Sequence, residues 1–165
     1  MSKTLWNLVE GKLNEHTYMR GVERTVERVS ATAEIFTPSA LVLEIFRYLD
    51  LEILAPGNTV LDPACGDGQF LVAAKWVKIF HHGMSEEASL SELYGVDLMR
   101  DNVDLCKRRL GGGNVIMGDS LCPQKKLEAQ TAQEHREMIE LYSEHGVEYA
   151  KKSRVSKNSF ADTLF

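Results

Sequence analysis

The chain has 165 residues, 44% of them hydrophobic and 26% charged, which is ordinary for a soluble globular protein and enough for one domain with a core. Its formal net charge of −5 argues against strong non-specific DNA binding by the chain as a whole, and the clusters Lys125-Lys126 and Lys151-Lys152-Ser153-Arg154 read as solvated helix ends. No apolar run approaches the roughly 18 residues of a membrane span, no signal peptide is visible, and Cys65, Cys106 and Cys122 are too scattered for a disulfide framework or a zinc site. A reducing cytoplasm is therefore the expected location.

Residues 3–30 alternate charged and apolar positions at helical spacing, with Leu5, Leu8, Val9 and Leu13, then Met19, Val22, Val26 and Val29 on the apolar faces. Gly11 and Gly21 are expected to divide this stretch into two helices. Thr37, Pro38 and Ser39 open a helix to about Leu51, with Leu41, Ile45, Phe46 and Leu49 inward. Ala55-Pro56-Gly57-Asn58 reads as a turn, and residues 59–62 as a first strand. A helix over 69–80 follows, with Phe70, Ala73, Ala74, Val77 and Phe80 inward, ended by His81-His82-Gly83. Residues 83–91 read as a polar loop and about 92–97 as a second strand. Asp101-Asn102 is expected to cap a helix closed by Gly111-Gly112-Gly113, and a third strand covers about 114–118. A long polar helix is predicted over about 124–152, with the stripe Leu127, Thr131, His135, Met138, Tyr142, His145 and Tyr149. The last residues, 153–165, read as a tail.

The most informative segment is Val60-Leu61-Asp62-Pro63-Ala64-Cys65-Gly66-Asp67-Gly68-Gln69-Phe70. It is an apolar strand that runs into a Gly-rich turn and then opens a helix. Open α/β sheets bind nucleotide-like ligands at such carboxyl ends. The glycines let the backbone approach a ligand, and the new helix presents unpaired N–H groups.

DPACGDGQF resembles motif I of S-adenosylmethionine-dependent DNA adenine-N6 methyltransferases, especially the branch with type I modification subunits. Three other segments agree. Ala33-Glu34-Ile35-Phe36-Thr37-Pro38 resembles the F/Y-T-P cofactor motif, Leu93-Tyr94-Gly95-Val96-Asp97-Leu98 the second strand with its acidic tip, and Asn114-Val115-Ile116-Met117-Gly118-Asp119-Ser120 the third strand with its G-D-[ASI] tip. The resemblance covers roughly residues 30–121. It implies an α/β fold: a Rossmann-like class I methyltransferase core with a truncated parallel sheet of three clear strands, N-terminal helices and a long C-terminal helix. One methyltransferase-like domain over 1–165 is expected, with a helical segment at 1–30, a cofactor-binding core at 31–121 and a helix and tail at 122–165.

S-adenosylmethionine offers a methionine zwitterion, a ribose diol and an adenine, and S-adenosylhomocysteine is the product. Backbone groups at Ala64, Cys65, Gly66 and Gly68 are expected to meet the methionine end, with Asp62 facing the ammonium or anchoring the turn. An ionised Asp97 accepts only, which suits a grip on two ribose hydroxyls. The resemblance implies that Leu98 packs on the adenine, that Asp119 accepts from its amino group, and that Phe36, Thr37 and Pro38 close over the methionine end. Asp97 also reads as a strand-end or capping residue, and Asp119 as a turn residue. Cys65 reads as a buried filler rather than a nucleophile. His81-His82 read as exposed helix-end residues, and His135 and His145 lack the i, i+4 spacing of a metal pair. No catalytic residue and no metal site is assigned.

Methyltransferases of this kind carry [DNS]-P-P-[YFW] after a fourth strand, where it holds a flipped base. The prolines here, Pro38, Pro56, Pro63 and Pro123, form no Pro-Pro pair. Asn158-Ser159-Phe160 is the nearest echo and lacks both prolines. In the strand order 3-2-1-4-5, losing strands four and five leaves the first strand at an edge, which is a liability. The tail 153–165, a second copy, a partner protein or the long helix is expected to cover it, so a homo-oligomer or a partner is expected, with DNA as a possible ligand and no membrane association. Three functions follow from this pattern. One is an S-adenosylmethionine-binding DNA adenine methyltransferase completed by a partner chain. Another is a non-catalytic regulatory or decoy subunit, and the third a scaffold without ligand. The intact Asp62, Gly66, Gly68, Asp97 and Asp119 argue against the scaffold.

Overall fold

The computed structural model describes residues 3–15, 26, 29, 30, 34 and 37–145. The readings placed on Phe36, on Gly21, on Asn158-Ser159-Phe160, on the 151–154 basic cluster and on the tail lie outside these residues. The chain forms two compact units, Met1–Met117 and Gly118–Phe165.

The first unit holds an α/β fold with a parallel sheet, in the order β1-β2-β3 among the described residues. β1 is Val60–Asp62, β2 Leu93–Asp97 and β3 Asn114–Met117. Val60 is in register with Leu93, Asp62 with Gly95, and Asp97 with Met117. Parallel neighbours need helical crossovers. Helix α3 (Gln69–Phe80) and the short α4 (Glu86–Ser91) join β1 to β2, and α5 (Arg100–Leu110) joins β2 to β3. α3 and α5 pack against the sheet and each other, while α1 (Lys3–Glu15) and α2 (Ser39–Tyr48) pack on α3. The core gathers Val9, Leu13, Val42, Phe46, Leu71, Val77, Leu93, Val96, Val103 and Leu110.

Several local expectations change. α1 runs through Gly11, because the glycine faces open space and Val9 and Leu13 are buried on either side of it. The buried face of α2 is Val42, Leu43 and Phe46, whereas Leu41, Ile45 and Leu49 stay exposed. α2 begins at Ser39 with Pro38 as its cap, and no side chain caps it; the Pro38 carbonyl accepts from Leu41 and Val42 N–H. Residues 86–91 form a helix rather than loop, because Ser85 Oγ accepts from the Ala88 N–H. Met99, not Asp101 or Asn102, is the N-cap of α5.

α3 is apolar all round except for Gln69, Lys75 and Lys78, which are themselves buried. The Lys78 ammonium donates to the Leu54 and Asn58 carbonyls at 3.1 and 2.8 Å and to Glu92 at 2.6 Å. Glu92 also accepts from the Gly57 N–H at 2.7 Å. Burial works to raise the Glu92 pKa, but the Lys78 hydrogen bond, the Gly57 N–H and the Lys78 charge together hold it below its ordinary value. This cluster locks the approach to β1 against the start of β2.

In the second unit the expected long helix begins later than 124. Among the described residues α6 spans Ala132–His145, and residues 118–131 ahead of it are turns and irregular backbone. Thr131 and Glu134 form a capping box that sets its start: Thr131 Oγ1 accepts from the Glu134 N–H, and the Thr131 N–H donates to Glu134 Oε2 at 3.0 Å. Met138 is buried against Gly118, where a Cβ would lie 2.6 Å from the Met138 sulfur.

Candidate cofactor site

β1 ends at Asp62, and the chain then turns toward β2. The Cys65 N–H donates to the Val96 carbonyl at 2.9 Å, which extends the parallel pairing beyond the strand. One residue on, the Gly66 N–H donates to Asp97 Oδ2 at 3.0 Å. The Gly68 N–H returns to the Cys65 carbonyl at 2.7 Å. Gly66 and Gly68 have φ of 53° and 84°, the left-handed region that a side chain resists. At Gly68 a Cβ would also sit 2.5 Å from Cys106 Sγ, so α5 passes too close for any other residue. α3 begins at the next position, with Gly68 as its N-cap.

The Ala64 N–H is taken by Asp62 Oδ1 at 3.1 Å. Thus the N–H groups of Ala64, Cys65, Gly66 and Gly68, all expected to meet a ligand, are bonded within the chain. What the turn leaves for a ligand is acceptor character, from carbonyls and two carboxylates. Burial pushes the Asp62 pKa up, the Ala64 N–H opposes this, and the Asp97 charge adds to the rise.

Asp97 is the hub. Its Oδ1 accepts from the Met99 N–H at 2.8 Å and from Asn102 Nδ2 at 3.0 Å, and its Oδ2 holds Gly66. Asn102 is buried, and its amide also donates to Glu34 Oε1 at 2.5 Å, which brings the segment before α2 to the same carboxylate. A carboxylate has about four acceptor positions. Three are used, so Asp97 both organises the strand tip, as its structural reading expected, and keeps one position open. Leu98 beside it is 49% exposed. Thr37 is half-buried and Pro38 exposed.

Asp119 lies in the second unit. Its Oδ1 accepts from Leu121 and Cys122 N–H at 3.0 and 3.2 Å, so it acts as the turn residue of its alternative reading. Cys65 is buried, and its thiol pKa is pushed up by a hydrogen bond with Cys106, by burial, by the charge of Cys106 and by Asp97 and Asp62. A thiol held protonated is no nucleophile.

Residues that sequence reasoning passed over complete the support. Asp67, between the glycines, is buried and paired with Arg109 of α5, whose guanidinium also donates to the Asp67 carbonyl at 3.1 Å and to Gln69 Oε1 at 3.2 Å. This network pins the glycine turn to α5. The signals were an acid enclosed by two glycines and an arginine in the last turn of a helix, both too common to stand out.

A family model for N-6 DNA methylases matches residues 23–155. The chain belongs to the N-6 DNA methylase family. Methylases of this family depend on S-adenosylmethionine, and the three parallel strands are a truncated form of their Rossmann-like core. No curated protein and no solved structure matches the chain. No helix among the described residues is long and apolar enough to cross a membrane.

Proposed function

We propose that this chain binds S-adenosylmethionine at the tips of β1 and β2 and serves N6 methylation of DNA adenine, with the base-holding residues supplied by polypeptide outside these 165 residues. One observation carries the reading. Two carboxylates, Asp62 and Asp97, flank a glycine turn in which the N–H groups of Ala64, Cys65, Gly66 and Gly68 are bonded within the chain, and burial, with the Asp97 charge adding to it, raises the Asp62 pKa. Such a site favours a ligand that brings positive charge and hydrogen-bond donors. S-adenosylmethionine carries an ammonium, a sulfonium and a ribose diol.

In this reading the ammonium lies between the turn carbonyls and Asp62. The diol takes the open acceptor position of Asp97 and displaces one of its present donors. Leu98 covers the adenine, and Thr37 and Pro38 close the methionine end. When bound, the cofactor supplies an electrophilic methyl group, and the protein's part is to hold it in line with the target nitrogen.

The absence of a Pro-Pro pair favours a second reading, a non-catalytic module that binds the cofactor for a partner methylase. Both readings share an edge of β1 that no strand covers among the described residues. The Val60 N–H donates to the Glu92 carbonyl, so by alternation the Leu61 N–H and C=O point away from β2. Leu61 is 41% exposed beside a groove of about 510 Å³ lined by Ile45, Leu49, Ile53 and Phe70. We propose that a second copy or a partner covers this edge. A clean monomer at micromolar concentration in analytical ultracentrifugation argues against self-association, and pull-down of no methylase component then removes the partner.

Calorimetric titration with S-adenosylmethionine and S-adenosylhomocysteine tests the site. Micromolar or tighter binding that Asp97→Ala abolishes supports both readings, and methyl transfer to DNA by the chain with its partner selects the first. No heat and no thermal shift with either ligand overturns both for the isolated chain.

A further inference from the structure

Away from the cofactor turn, three metal-ligating side chains converge. Glu52 sits in the 3-10 turn Leu51–Leu54 ahead of β1, and His81 and His82 follow the last residue of α3. One donor atom from each lies within 4.8 Å of the others. We propose that Glu52, His81 and His82 bind a divalent transition-metal ion of the zinc class, clipping the turn before β1 to the end of α3.

The donor set selects the ion. Two imidazoles and one carboxylate suit zinc, cobalt or nickel, whereas magnesium and calcium prefer oxygen alone. Tetrahedral donors at ~2.0–2.1 Å from zinc lie about 3.3 Å apart. Glu52 and His81 are exposed and close that difference by rotating. Two water molecules or one complete the shell.

Two features beyond proximity point to a cation. His82 Nε2 lies 2.9 Å from the Leu51 carbonyl. A carbonyl only accepts, so this nitrogen donates, and in the neutral imidazole a metal binds, Nδ1 is the ligand atom. A backbone carbonyl that orients the far nitrogen is the usual support of a metal-bound histidine. In addition, both histidines sit at the carboxyl end of α3, where the helix dipole favours positive charge. Among the described residues no donor engages the Glu52 carboxylate. The nearest charged side chain on α3, Lys78, is buried and already bonded to Leu54, Asn58 and Glu92. The pair had read in sequence as helix-end histidines because its third ligand lies on a separate element.

The test uses the full chain without a histidine tag, stripped with chelator and titrated with zinc chloride by calorimetry, then with cobalt(II) by absorption. The expected result is one ion per chain, with a Tm rise of about 5 °C or more at a hundredfold excess over Kd. Glu52→Gln and His81→Gln each weaken binding at least about tenfold. Cys122→Ser leaves it unchanged, and the cobalt spectrum lacks a thiolate charge-transfer band. Both tested ligands are exposed, so the variants fold as the parent does, which circular dichroism checks. No saturable zinc binding, binding indifferent to both substitutions, or a thiolate band overturns the proposal.

Discussion

β1 and β2 lie side by side, are similarly apolar and each end in an aspartate, yet they differ in burial. In β2, Leu93 and Val96 are inaccessible to solvent; in β1, Leu61 is 41% exposed. β2 has a strand on each side and α3 and α5 against it, whereas β1 has one strand neighbour among the described residues. Burial therefore follows place in the sheet order rather than the hydropathy of the segment. A central parallel strand reads as an apolar run because both faces and both edges are covered. The same run at an edge marks a place where something else belongs.

Substitutions can break that contrast. The largest effect is expected at Leu93. Leu93→Ala empties a closed site and costs about 2–5 kcal/mol in denaturant unfolding. Glu92→Gln leaves the buried Lys78 ammonium without its counter-charge, where breaking a fully buried pair costs about 3–5 kcal/mol. Glu92 is only partly buried and Lys78 keeps two carbonyls, so we expect a loss of about 2 kcal/mol. The same pair governs acid stability. The Glu92 pKa is lowered on folding, so its contribution is complete above the ordinary value of 4.5 and is lost as pH falls through the folded value. Urea titrations of wild type and Glu92→Gln should converge in acid.

Gly95→Ala is the next step down. A Cβ there would lie 2.8 Å from Leu71 Cδ1 and 3.1 Å from Cys65 Sγ, so it overpacks the junction of β2, α3 and the cofactor turn. We expect a loss of about 1–3 kcal/mol, together with weaker cofactor binding.

Asp62→Asn should move stability and binding in opposite directions. The folded pKa of Asp62 is raised above its ordinary value of 3.8, so between the two values the folded state holds more protons than the unfolded one. Stability therefore falls as pH rises through that window, and the wild type carries the full penalty above the folded value. The variant should show a higher Tm there, a gain that vanishes below the unfolded pKa, and should lose S-adenosylmethionine binding. The smallest effect is expected at Leu61, where Leu61→Ser changes the stability of the isolated chain by no more than about 0.5 kcal/mol. Where a partner covers the edge, the same substitution dissociates it, which ultracentrifugation reads directly.

The glycine turn after β1 was legible in the sequence because its geometry is local. Glycines mark the left-handed positions, and β1 and β2 each end in an acid. Other regions were less legible for identifiable reasons. The inward face of α2 was assigned to Leu41, Ile45 and Leu49 because they share a helical stripe with Phe46, but that stripe looks toward the open side of β1. The start of α6 was missed although Thr131 and Glu134 spell a capping box, because the periodicity upstream carried the helix too far. Lys75 and Lys78 were given no role in the sequence, and only the fold brings the Leu110 carbonyl to one and Glu92 to the other.

The sequence by itself determined the family, the parallel α/β order and the residues at the tips of β1 and β2, because these depend on backbone torsion and on neighbours a few positions away. Tertiary structure alone decided that Asp97 is the hub of the turn, that Arg109 and Asp67 lock it, and that Glu52 meets His81 and His82. Those pairings join segments distant in sequence, and residue type alone does not encode which of many compatible partners the packing will bring within hydrogen-bonding distance.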